Sequence, residues 1–232
     1  MRGITILFIC LASGLSAQHL TYTEWLHRAM ADMRLAPRYG DQAKNAAQKA
    51  SDAEFVAAVL ADHPEPRTAS SRLVDHGSAL LAAGDQVQSM MRFNQAWLVD
   101  STNVDAYWGF GNYFLALDRP AMALQWFKRG AELDPNHVRS LLGLATAALA
   151  EQYATRKENP AHADELVAAA LTVLLRAEKL APNDPAIVYR LAVCHMIRGE
   201  CEQARKQHQR CLELPGCAPD GGFEDQLRAK CP

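Results

Sequence analysis

The sequence predicts an all-α chain built as an array of helix–turn–helix pairs, and three observations predict it. The first is a 34-residue self-similarity. Tyr107-x2-Phe110-Gly111-x2-Phe114, Ala123-x3-Phe127, Gly130 and Asp134-Pro135 follow, one period on, Leu73, Gly77, Leu80, Ser89, Phe93, Ala96 and Asp100-Ser101. The second is turn punctuation inside each copy, at Gly84-Asp85 and at Asp118-Arg119-Pro120. The third is one position of the first helix held by Gly77, Gly111, Ala145 and Ala192. A larger side chain there would push the paired helices apart.

Met1-Arg2 is followed by the apolar run Ile4 to Ala12 and by small residues at Ser13, Gly14, Ser16 and Ala17. One charge, a short apolar stretch and a small-residue exit predict a signal peptide over 1–17, cut near Ala17 and leaving Gln18 first. The run is too short to span a bilayer, which takes about 20 apolar residues. A lipoprotein cut at Cys10 is disfavoured, because Phe8 and Ile9 stand where small side chains are needed.

Residues 18–69 are expected to form a helical extension. Residues 18–36 read as one helix, with Leu20, Trp25, Leu26, Ala29, Met30, Met33 and Leu35 mostly at three- and four-residue spacing and Pro37 ending it. Tyr39-Gly40-Asp41 is a turn or loop. Ser51-x-x-Glu54 has the form of a capping box ahead of Phe55, Val56, Val59 and Leu60. The prolines of His63-Pro64-Glu65-Pro66 end that helix.

The array covers 70–216. Repeat one is 70–103 and repeat two 104–137, with Pro120 in the first turn of a second helix, where its missing donor costs nothing. Repeat three starts at Val138, but Pro135 to Pro182 is 47 residues, and the surplus of 13 falls around Tyr153 to Glu165. Repeat four covers roughly 185–216, with His208 where an aromatic stands in earlier copies. Residues 217–232 hold a last short helix, whose Phe223 and Leu227 cover the open apolar end.

This order of large and small positions resembles the tetratricopeptide repeat, over about 70–216 and most closely in repeat two. The resemblance implies a superhelical array whose first helices line a concave groove through their second, fifth, ninth, twelfth and thirteenth positions. Here that set includes Val74, Ser78 and Leu81; Asp105, Trp108, Asn112 and Leu115; and Arg139, Leu142 and Thr146. Trp108 has a competing reading, as an aromatic packed under segment 18–66. Family members that clamp a chaperone's C-terminal carboxylate use Lys and Asn where this chain has Val74 and Ser78, so that set is not present.

Net charge is −2 with both signs dispersed, so no basic stripe points to nucleic acid. No phosphate loop, His-Glu-x-x-His pair or nucleophile elbow is present, and neither a catalytic residue nor a cofactor is implied. His208, Cys211, Cys194 and His195 contain zinc-type ligands, yet helical packing buries His208 and Cys211, and export favours oxidation over thiolate ligation.

Loss of 1–17 leaves five cysteines, all within the last 39 residues. Cys201 and Cys211 lie on one helix, about 15 Å apart at 1.5 Å per residue, too far for a disulfide. A final helix returning antiparallel brings Cys231 level with Cys201 and leaves Cys211 and Cys217 flanking the turn. The expected pairs are therefore Cys201–Cys231 and Cys211–Cys217, with Cys194 a buried free thiol. The function expected is that of an exported, periplasmic or secreted, non-catalytic module that binds a protein or peptide segment in its groove. An envelope protein that binds a small molecule or metal is the first rival and an enzyme the second.

Overall fold

The computed structural model describes residues 20–232. The signal-peptide reading, with Cys10 and the cut after Ala17, lies outside the described residues. Among those residues the chain is all-helical, with eleven α-helices, two short 3-10 segments and no strand. No helix among them is long and apolar enough to cross a membrane.

Four antiparallel pairs stack in chain order. They are α3 (Pro66–Ala82) with α4 (Gln86–Val99), α5 (Val104–Ala116) with α6 (Pro120–Leu133), α7 (Val138–Thr155) with α8 (Pro160–Leu180), and α9 (Pro185–Ile197) with α10 (Cys201–Leu212). Proline opens α3, α6, α8 and α9, pre-set to helical φ at a position whose N–H has no helical acceptor. Side chains of Asp85, Asn103, His137, Asn159 and Asp184 accept from early backbone amides of the helices they precede.

The turn inside a pair depends on one left-handed residue. Gly84 (φ 83°), Asp118 (φ 55°) and Gly199 (φ 74°) hold equivalent places in pairs one, two and four. In pair three that register position is Gln152, which has no such preference, and the helix runs on through it. α7 is thus 18 residues long against 13 for α5, and α8 is 21 against 14 for α6. The surplus around Tyr153 to Glu165 is spent almost wholly in lengthening two helices past the rim of the array.

Packing between pairs turns on two phenylalanines. Phe93 of α4 lies between Gly77 of α3 and Gly109 of α5, and Phe127 of α6 between Gly111 of α5 and Gly143 of α7. A Cβ on any of the four glycines would stand less than 3.0 Å from the ring it faces. Both rings are fully buried, and the arrangement repeats with the 34-residue period.

The N-terminal segment differs from the sequence expectation. α1 covers only Tyr22–Ala31, followed by 3-10 segments Met33–Leu35 and Pro37–Asp41. Asp32 breaks the helix: its backbone is extended, and its carboxylate accepts the Arg34 amide at 2.9 Å. Trp25 holds the segment to the array, with its indole N–H donating to the Leu35 carbonyl at 2.9 Å and its ring centroid 5.1 Å from that of Phe114. The Asn94 amide of α4 donates to the carbonyls of Arg34 (2.8 Å) and Ala36 (2.9 Å). The expected capping box at Ser51 and Glu54 is not the one formed. α2 (Ala46–Asp62) starts earlier, capped reciprocally by Asn45 and Gln48, because Ala46, Ala47 and Ala50 are strong helix formers. The boundary expected at 69/70 falls inside α3, whose cap is Glu65.

At the other end α11 (Phe223–Lys230) returns along α10. Cys211 is bonded to Cys217 with Cα atoms 5.5 Å apart, and Cys201 to Cys231 at 5.3 Å. Cys194 is free and buried. His208 is buried in the aromatic slot of α10, 5.1 Å from the Phe223 ring. With Cys211 committed to a disulfide, the zinc-type set is broken up.

Candidate functional site

α3, α5 and α7 lie side by side, so the expected groove residues fall into columns one period apart. Val74, Trp108 and Leu142 form one column, and Ser78, Asn112 and Thr146 the next. Val74 is a correction. It is 1% exposed and belongs to the same core cluster as Phe93 and Phe110. Its short side chain ends within that cluster, whereas the larger Trp108 packs against the same cluster and stays partly exposed. Ser78, Leu81, Asn112, Leu115, Leu142 and Thr146 are also partly exposed, and Arg139 is exposed.

The polar column shares one feature. Ser78 Oγ donates to the Val74 carbonyl (2.9 Å), Asn112 Nδ2 to that of Trp108 (3.0 Å), and Thr146 Oγ1 to that of Leu142 (2.8 Å). The Ser78 and Thr146 hydroxyl hydrogens and one of the two Asn112 amide N–H groups are taken up within their own helices, so the column offers oxygen acceptors and one amide donor.

Three expected residues come together in a cluster between α5 and α7. The Asp105 carboxylate lies 3.3 Å from His137 Nε2 and 3.3 Å from Arg139 Nη1. The Arg139 guanidinium in turn sits 5.2 Å from the Trp108 ring centroid. Hydrogen bonding from His137, against the opposing effect of burial and with the Arg139 charge in support, holds the Asp105 carboxyl below its ordinary pKa. The arrangement puts the partly exposed Trp108 ring beside an oppositely charged pair.

Further along the same face lies a cavity of about 640 Å³ between α7, α9 and the segment ending in α11. Leu149 and Tyr153 come from α7, Tyr189 and Val193 from α9, and Phe223 and Gln226 from α11. The Tyr189 hydroxyl donates to Asp220 Oδ2 at 2.9 Å and accepts from the Asp220 amide at 3.0 Å, fastening the loop before α11. Burial, with Asp220 nearby, pushes the Tyr189 pKa up to about 12, so it serves as a neutral donor.

Of the expected groove residues, only Thr146 lines this cavity. Tyr189 and Val193 continue the Trp108–Leu142 and Asn112–Thr146 columns, at an offset of 47 instead of 34. A second hollow of about 340 Å³ lies between the N-terminal segment and α4. Its charges are paired internally: Lys44 meets Asp52 at 2.5 Å and lies 3.3 Å from the Tyr39 ring centroid.

No protein-family model matches the chain, and no curated protein matches it either.

Proposed function

We propose that this chain is an exported, non-catalytic interaction module of the tetratricopeptide type, which holds a segment of another protein along the face of α3, α5 and α7. The observation that carries the reading is the Asp105–Arg139–Trp108 cluster beside the column of Ser78, Asn112 and Thr146. An aromatic anchor next to a charged pair is the usual composition of an interaction hot spot. A column of oxygen acceptors with one amide donor suits the backbone groups of an extended segment. Two disulfides joining the last repeat to the segment after it fit an oxidising compartment, in keeping with the signal peptide read in residues 1–17.

The test is capture from the native envelope with four baits, the wild-type chain and three variants. A partner retained by the wild-type chain should be lost with Trp108→Ala and with Arg139→Glu, and kept with Lys128→Glu on the exposed side of α6. Equal capture by all four proteins would refute the groove reading, provided their melting temperatures agree.

A further inference from the structure

The cavity between α7, α9 and α11 carries a charge pattern unlike the rest of the molecule. The chain as a whole has net charge −2. Arg156, Arg190 and Lys230 line the cavity against the single carboxylate of Asp220. None of the three cations has a carboxylate partner within 4.0 Å among the described residues.

Arg190 is the most informative of them. By register it stands where Gly109 and Gly143 stand in the preceding pairs, each of which faces a phenylalanine ring. The ring's place is taken here by the shorter Leu174, so a long side chain can occupy the position. The guanidinium donates from Nη1 to the Ala186 carbonyl at 3.2 Å. Burial pulls its pKa down from the ordinary value, with the Asp220 charge opposing. Arg190 is partly exposed to the cavity and has no paired carboxylate, so an anion there would complete it.

The surrounding wall is apolar and aromatic, with Leu149, Tyr153, Val193, Met196, Ile197 and Phe223. One side of the cavity comes from the lengthened third pair, since Gln152, Tyr153 and Arg156 lie beyond the register position where α5 ends. α11, fastened by Cys201–Cys231, supplies the wall opposite.

We infer that this cavity is a binding site for a small organic acid: an apolar body against Tyr153, Val193 and Phe223, and a carboxylate against Arg190 with Lys230 at the mouth. Its volume lies within the roughly 300–1,000 Å³ of small-molecule sites. Thr146 is the one groove residue that lines the cavity, and the proposed acid contacts do not use it, so the inference stands apart from the groove reading.

Isothermal titration of the purified protein with octanoate, octan-1-ol and inorganic phosphate tests it. Octanoate is expected to bind at least tenfold tighter than either of the others. Arg190→Met should weaken octanoate at least tenfold, and Lys230→Met, at an exposed position, by a smaller factor. The comparison of octanoate with octan-1-ol needs no variant, so it stands even if Arg190→Met fails to fold. Octan-1-ol binding as tightly as octanoate, phosphate binding as tightly, no binding of octanoate, or unchanged octanoate binding in both variants would each overturn the inference.

Discussion

Cys201, which opens α10, and Cys231, which follows α11, are joined with Cα atoms 5.3 Å apart, so the last helix is fastened along the one before it. Phe223 and Leu227 of α11 are thereby held over Val188, Ala192 and Ala204, which no further helix pair would cover. A bond closing 30 residues should contribute about 2–4 kcal/mol. Urea unfolding of the wild-type protein and of the Cys201→Ser/Cys231→Ser double variant, both with Cys211–Cys217 intact, should differ by that amount. Coincident curves would show that α11 holds without its bond. Non-reducing peptide mapping should return Cys201–Cys231 and Cys211–Cys217. Cys194, whose thiol pKa burial pushes up to about 12, should resist alkylation until the chain is unfolded.

Gly111 faces the Phe127 ring, and Gly143 faces the same ring from α7, so the ring has no side to which it can retreat. Gly111→Ala should therefore destabilise by about 1–3 kcal/mol through overpacking, although alanine is the better helix former. Gly221, whose Cβ would meet nothing within 4 Å, is the control, and Gly221→Ala should be close to neutral. Thermal unfolding of the two variants decides the point. Equal melting temperatures would mean that the ring is not confined.

Asp105 gives the groove cluster a pH signature. Its folded pKa is depressed by hydrogen bonding from His137 and by the Arg139 charge, so its stabilising contribution is present above the unfolded carboxylate value of roughly 3.9. That contribution is lost as pH falls through the lower folded value. The stability difference between the wild-type chain and Asp105→Asn should shrink as pH falls below about 4. A difference that instead persists unchanged to pH 2 would mean the carboxylate's charge is not what stabilises the cluster.

The parts of this molecule legible in the sequence are those governed by spacing. Phe93 and Phe127, and Gly77 and Gly111, stand out because each pair is one period apart, and the disulfides follow from how far a helix separates Cys201 from Cys211. Gly109 and Gly143 escaped notice although they also lie one period apart, since their role shows only when the next pair is stacked against Phe93 and Phe127. Val74 sits in the same column as Trp108 and Leu142, but a column fixes direction and not depth, and a short side chain there ends in the core. Asp32 ended α1 through its side-chain contact to the Arg34 amide, a local competitor that apolar periodicity does not register. The cavity stayed hidden because it needs three things at once: the 47-residue offset, the α7 extension and the returning α11.

The most direct test of the account is site-specific photo-crosslinking in the native host. A photoreactive side chain would be placed at Leu142, beside Trp108 in its column, or at Lys128 on the exposed side of α6. Irradiation should join the Leu142 probe to a discrete protein, through peptides of one extended segment, while the Lys128 probe yields no such product. A Leu142 probe that gives no protein adduct, or the same adduct from both positions, would contradict the claim that this face holds a protein partner.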